Sequence, residues 1–221
     1  MQVAIDGPAG SGKTTVARAL ARRLGFLYLD TGAMYRALAF LALESCENTA
    51  DEATMLELAR RRPIRVAFDP AADDGYRIFA GDTPLGDELY GNDVSQVVSV
   101  VAAHPGVRML MVESQREIAG SRPVVMAGRD IGTVVLPGAP VKIFLTASVQ
   151  ERTERRRAEL AERGNVVDAP TLQREIEERD KLDRDRAASP LRAAPGAYEI
   201  DSSGMSVSDV VERIAGIVAR T

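Results

Sequence analysis

The chain has 221 residues, 45% of them hydrophobic and 27% charged, with a net charge of -4, a balance that fits a soluble globular protein of one α/β domain or a domain carrying an insertion. Its single cysteine, Cys46, excludes an intramolecular disulfide framework and every multi-cysteine metal site, which suits a reducing compartment. Its single histidine, His104, makes a two-histidine zinc site impossible and leaves a serine-hydrolase triad only that one residue to build on, and both residues are assigned to structure.

The apolar start Val3–Ile5 is too short for a secretory signal, and no stretch approaches the ~20 apolar residues needed to cross a bilayer. The expectation is a cytoplasmic protein with no membrane and no nucleic-acid partner. Val3–Ile5 reads as a strand that stops at Asp6-Gly7-Pro8, and Thr14–Leu24 has helical spacing. Between them, Gly7, Gly12, Lys13 and Thr14 complete the pattern G-x-x-x-x-G-K-[ST] in the strand-loop-helix context that it requires. Glycines let backbone N–H groups wrap a phosphate chain, and the helix N-terminus adds positive partial charge. The residues Gly7, Pro8, Ala9, Gly10, Ser11, Gly12, Lys13, Thr14 and Thr15 are therefore the candidate ATP site. Lys13 supplies the mobile cation, and the Thr14 hydroxyl can ligate Mg2+.

Phe26–Asp30 reads as a second buried strand, followed by a helix capped by Thr31, and Arg36 lies little more than one turn beyond that cap. A long interruption runs from Ser45 to about Val107, within which "IRVAFD" and "YRIFAGDTPLGDEL" look like short antiparallel strands joined by a turn at residues 70–75. Arg122–Asp130, Ala139–Ser148 and Gly196–Ser203 are three further apolar runs ending in polar residues, making five strands connected by helices and implying a parallel sheet covered on both faces. Ligands of such sheets bind beyond the carboxyl ends of the strands, where Asp30-Thr31 and Gly128-Arg129-Asp130 fall.

The segment "SVQERTERRRAELAERG" carries five arginines and reads either as a solvated surface helix or as a mobile arm that closes over a polyphosphate. "ERDKLDRDRAASPL" places Arg179, Asp183 and Arg186 at i, i+4 and i+7 on one helix face before Pro190. Cationic groups from separated segments suggest a second phosphate site, hence a phosphotransferase whose acceptor is itself phosphorylated. A phosphate monoester, with a second pKa of about 6, is largely dianionic at neutral pH and needs no general base. A kinase for another small acceptor (UMP, AMP or shikimate) and a nucleotide switch without an acceptor stay open on these residues alone.

The runs "IDGPAGSGKTTVA", "LDTGAMYRA", "GRDIGTVVLP", "VKIFLTAS" and "ERDKLDRDRAASPL" together make the chain, over essentially its whole length, closely resemble bacterial cytidylate kinases. The resemblance implies an α/β, P-loop NTPase-type three-layer fold with a five-stranded parallel sheet, an inserted small antiparallel β subdomain and a helical lid. It distributes the chain as a core over 1–30, 106–147 and 168–221, a nucleoside-monophosphate-binding part over 31–105 and a lid over 148–167. It implies transfer of the ATP γ-phosphate to CMP or dCMP by a monomer, with Mg2+ accompanying ATP. Thr31, Arg36, Arg129 and Arg186 would face the acceptor phosphate, and Arg179 and Asp183 the sugar. Ser99, Arg108 and Asp130 would read the base, with Tyr35 in the same CMP-binding set. Lys13, Arg129 and Arg186 would carry catalysis, and Arg152, Arg155, Arg156 and Arg157 would belong to the lid. Cytosine offers an N4 amino donor beside N3 and O2 acceptors, which Asp and Arg complement, whereas uracil reverses positions 3 and 4.

Overall fold

The computed structural model describes residues 1–162, 164 and 167–221. Arg163, Asn165 and Val166, all within the expected lid, lie outside the described residues. In chain order the elements are β1 (Gln2–Asp6), α1 (Lys13–Leu24), β2 (Leu27–Asp30), α2 (Thr31–Glu44), α3 (Glu52–Arg61), β3 (Ile64–Phe68), β4 (Tyr76–Ala80) and β5 (Thr83–Leu85). A 3-10 turn (Asp87–Tyr90), α4 (Asn92–Val101), α5 (Pro105–Ser121), β6 (Val124–Gly128) and a π-helical turn (Ile131–Val135) follow. The chain then runs through β7 (Val141–Thr146), α6 (Val149–Glu162), α7 (Ala169–Asp185), β8 (Tyr198–Asp201) and α8 (Val207–Val218).

Five strands form one sheet in the order β2-β6-β1-β7-β8, and β3-β4-β5 form a small antiparallel sheet. In the large sheet β1 runs parallel to β7, with Val3 opposite Val141 and Ile5 opposite Ile143, and β7 runs parallel to β8. Val3–Asp6 of β1 and all of β6 are buried, as expected of central strands covered on both faces, while β8 at the edge buries only Ile200. The chain divides into two compact units, Met1–Phe26 with Val125–Thr221, and Leu27–Val124.

In the first unit, α1 opens at Gly12 and closes at Gly25, both in the left-handed region, and the Gly25 N–H reaches back to Ala21 and Arg22 carbonyls. A capping box of Ser206 and Asp209 starts α8. Leu160 of α6 packs with Leu172 and Ile176 of α7, which joins the two charged helices through a small apolar cluster of their own.

In the second unit, α2 is apolar nearly all round and correspondingly buried. Met34, Leu38 and Leu41 pack there with Met55 and Leu58 of α3, Val94, Val98 and Val101 of α4 and Met111 of α5. The cap of α2 is Asp30, whose carboxylate accepts from the Gly32 N–H at 2.9 Å, not Thr31, which is the first helical residue. The correction follows from geometry: the extended backbone of Asp30 aims its short carboxylate at the first turn. The stretch 76–89 is also not one strand, because the turn at Gly81 folds β4 back onto β5. His104 occupies the N-cap position of α5 without a side-chain capping bond, and its Nε2 lies 2.8 Å from the Thr49 carbonyl, while Cys46 is exposed. Among the described residues no single helix is long and apolar enough to cross a membrane.

Candidate active site

The phosphate loop connects β1 to α1 as the spacing requires, and its glycines are needed sterically. Gly7 has φ +154°, and a Cβ there would stand 2.0 Å from the Leu145 carbonyl oxygen of β7. Gly10 has φ +72°, and a Cβ there would press on Arg152 at 3.1 Å. Lys13 is buried at the first turn of α1, where its Nζ donates to the Pro8 carbonyl at 2.5 Å and to Ser11 Oγ at 3.3 Å, so the ammonium stays curled over the loop. Thr14 and Thr15 are exposed at the same helix end. A helix N-terminus without acidic residues in its first turn and a lysine over the loop fit a polyphosphate. Among the described residues there is no group of three or more His, Cys, Asp or Glu that could hold a metal ion.

Helix α6 is docked on this loop. Arg152 donates from Nη1 to the Ala9 carbonyl at 3.0 Å and from Nε to the Ala147 carbonyl at 3.1 Å, and it pairs with Asp180 of α7 at 2.7 Å. Arg155 donates to Ser202 Oγ at 3.1 Å and to the Ser202 carbonyl at 2.9 Å, with the Ser11 carbonyl 3.5 Å away. Arg156 and Arg157 instead pair along their own helix, with Glu159 at 2.9 Å and Glu154 at 3.0 Å. Among the described residues the four expected lid arginines therefore separate into Arg152 and Arg155, which reach carbonyls of the loop, and Arg156 and Arg157, which pair with glutamates of α6.

Beyond β6 the same unit gathers a cationic cluster around one carboxylate. Asp183 of α7 is buried; its Oδ2 accepts from Arg129 Nε at 2.8 Å, and its Oδ1 lies 3.8 Å from Arg186 Nη1. Burial acts to raise the Asp183 carboxyl, but Arg129, Arg179 and Arg186 outweigh it and hold it below the ordinary value of 3.8. Three arginines around one carboxylate leave a net positive centre, the electrostatic signature of an anion site. Arg186 does not lie on the helix face with Arg179 and Asp183: α7 ends at Asp185, and Arg186 turns to extended backbone, its Nε reaching the Ser189 carbonyl at 2.5 Å.

The second unit holds the remaining acceptor candidates. Thr31 and Tyr35 are buried one turn apart on α2, and the Arg108 guanidinium of α5 lies over the Tyr35 ring at 5.3 Å while donating to the Ala102 carbonyl at 2.9 Å. Arg36 Nη1 reaches Ser95 Oγ at 3.0 Å and the Leu89 carbonyl at 3.2 Å, with the Tyr90 ring 5.5 Å away. Ser99 is half-buried on α4, one turn after Ser95. Ser95 was not singled out from sequence, although its place one turn before Ser99 was a usable signal.

Asp6 was also missed. At 2% exposure its carboxylate accepts from the N–H groups of Ile131 and Gly132, each at 2.7 Å. Burial pushes its pKa up to about 6 against those two amides, with Asp130 raising it and Lys13 lowering it. Asp130 itself is buried directly before the π-helical turn. The available signal was a carboxylate ending a buried strand at the ligand edge of a parallel sheet.

Comparison with known proteins identifies the family. The cytidylate kinase family model matches residues 3–220. The chain is 49% identical over 217 residues to the cytidylate kinase of Pelotomaculum thermopropionicum, covering 98% of this chain and 95% of that protein. It is 48% identical over 218 residues to the cytidylate kinase of Geobacillus kaustophilus, covering 99% and 96%. Among solved structures, an uncharacterised protein from Eubacterium ventriosum shares the fold with a TM-score of 0.55 at 13% identity, over 100% of this chain and 99% of that one. With a phosphate loop, a parallel five-stranded sheet and a family match over nearly its full length, the chain belongs to the cytidylate kinase family.

Proposed function

We propose that the chain transfers the γ-phosphoryl group of ATP to the phosphate of CMP or dCMP, giving ADP and CDP or dCDP by direct in-line displacement. The observation that carries this reading is the buried Asp183 ringed by Arg129, Arg179 and Arg186, a second anion site in the same unit as a complete phosphate loop. The acceptor phosphate is assigned to Thr31, Arg36, Arg129 and Arg186, and the sugar to Arg179 and Asp183.

An acceptor phosphate that is dianionic at neutral pH attacks without a base, so the protein's task is positioning, charge neutralisation and exclusion of water. Lys13 follows the transferring group, and Arg129 and Arg186 offset charge on the acceptor side. Mg2+ bound with ATP would neutralise phosphate charge, and the Thr14 hydroxyl is the protein group assigned to hold it.

Asp130 accepts from the cytosine amino group, and Arg108 with Ser99 supplies donors to its acceptors, with Tyr35 backing Arg108. Uracil would set its O4 against the Asp130 carboxylate, an unpaired and repulsive contact, so UMP is disfavoured. Of the four α6 arginines, Arg156 and Arg157 are the ones assigned to the transferring phosphate. Their present pairs are short-range and partly exposed, worth about 0.3–0.5 kcal/mol each, so they exchange readily, whereas Arg152 is engaged in a buried pair. The same reading has the enzyme working as a cytoplasmic monomer on small nucleotides, without nucleic acid or membrane.

The deciding experiment follows ADP formation with CMP, dCMP, UMP, AMP, shikimate or no acceptor. Acceleration by CMP and dCMP above all others is expected, and equal rates with and without every acceptor would overturn the reading.

A further inference from the structure

The π-helical turn Ile131–Val135 opens with backbone N–H groups that need acceptors outside the turn. Asp130 stands at its N-cap, the position from which an aspartate ordinarily folds its own carboxylate onto those groups. It does not do so: the Asp130 side chain makes no capping hydrogen bond. The cap comes from another strand. Asp6, at the end of β1, accepts the Ile131 N–H on Oδ1 and the Gly132 N–H on Oδ2, both at 2.7 Å. The space is close on that side as well, since a Cβ at Gly132 would stand 3.3 Å from Asp6 Oδ2 and 3.0 Å from Ala194 Cβ.

We propose that Asp6 is a positioning residue for base selection: by capping the turn in place of Asp130, it spares the Asp130 carboxylate that duty and fixes the Arg129-Asp130 backbone so that Asp130 is presented to cytosine. The inference rests on the base-reading role assigned above. It explains why two buried carboxylates meet at the end of neighbouring strands, an arrangement in which the charge of Asp130 adds to burial in disfavouring that of Asp6. The groups facing Asp6 are the two amides, Asp130 and Lys13, with the Lys142 stem packed beside Gly132. Burial raises Asp6 to about 6, so near neutral pH it is ionised and both oxygens accept. Below that pH one oxygen carries a proton and the cap loses half its capacity.

The test uses Asp6→Asn, Asp6→Ala, Gly132→Ala and Asp130→Ala in the full chain. The ratio of kcat/KM for CMP to that for UMP is measured for each, with ATP binding by calorimetry. Asp6→Asn keeps one acceptor and sets an amide N–H2 against the other backbone N–H, so the CMP:UMP ratio is expected to fall about tenfold while the ATP Kd stays within about twofold. Gly132→Ala strains the same cap without changing Asp6 and is expected to lower the ratio in the same direction. In the wild type the ratio falls as the pH drops through about 6, and in Asp6→Asn it is flat. The ratio cancels titration of the acceptor phosphate, which CMP and UMP share.

An unchanged ratio in Asp6→Asn and Gly132→Ala, with Asp130→Ala lowering it, would overturn the inference and leave the base-reading role standing. An unchanged ratio in Asp130→Ala would overturn that role and the inference with it. Equal loss of ATP and CMP binding in Asp6→Asn would reduce Asp6 to a support of the phosphate loop, which also overturns it.

Discussion

Arg152 and Asp180 form an ion pair 2.7 Å apart with side chains only 5% and 4% exposed, and the same Arg152 Nη1 donates to the Ala9 carbonyl of the phosphate loop. One guanidinium thus ties α6, α7 and the loop together. Removing one member leaves the other charge buried without its partner, so Asp180→Ala is expected to destabilise the protein by about 3–5 kcal/mol in a denaturant titration. Replacing both residues with apolar ones of similar volume should recover most of that loss. A single variant within about 0.5 kcal/mol of wild type would show that the pair contributes nothing to folding.

Lys13 is the cation of the loop, bonded to Pro8 and Ser11. Lys13→Ala should lower kcat by about a thousandfold or more, because that charge has no substitute during transfer. Circular dichroism should stay that of the wild type. Activity within tenfold of wild type would remove Lys13 from the transfer step.

Asp183 anchors three arginines. Asp183→Ala is expected to weaken CMP binding by about tenfold or more, through loss of its own contact and through mutual repulsion of the arginines, while the ATP Kd is unchanged; calorimetry on each ligand separates the two. Its pH signature has a definite sign. The folded value lies below 3.8, so the stability Asp183 contributes is present above that pH and is lost as pH falls through the lowered folded value. The stability gap between wild type and Asp183→Asn should be constant near neutrality and close only on the acid side of 3.8.

Asp6 has the opposite sign. Its value rises from 3.8 unfolded to about 6 folded, so its contribution is fully present below 3.8 and is lost as pH rises through about 6. At about 1.4 kcal/mol for each pH unit between those values, wild type should lose about 3 kcal/mol relative to Asp6→Asn on going from acid to neutral pH. Chemical denaturation of both proteins across that range measures it. A gap that does not change with pH would mean that Asp6 titrates alike in the folded and unfolded chain. An ionised Asp6 at neutral pH is thus held at some expense of stability, as is common where a group serves a site.

Much of the fold was legible because its signals are local. The buried run Val3–Ile5, the glycines at 7 and 12 and the helical period of 14–24 sit next to one another, and backbone sterics make strand, loop and helix follow directly. The five core strands were read from apolar runs for the same reason. Helix ends were less legible: Asp30 and Thr31 are both good caps by type, and only the backbone angle at Asp30 decides between them.

The candidate site was legible as a set of residues and not as a set of partners. Residue types and spacing alone determined that this protein has a phosphate loop, a parallel sheet and an excess of arginine near the strand ends, because each of those is a property of neighbours in the chain. The tertiary structure decided which arginines are engaged with distant partners: Arg152 is held by Asp180, Arg129 by Asp183 and Arg36 by Ser95, while Arg156 and Arg157 pair, among the described residues, with glutamates of their own helix. It alone also decided that Asp6 caps a turn 125 residues away. Charge pairing and capping depend on distance in space and on burial, and neither quantity is carried by sequence spacing once the partners come from different strands and helices.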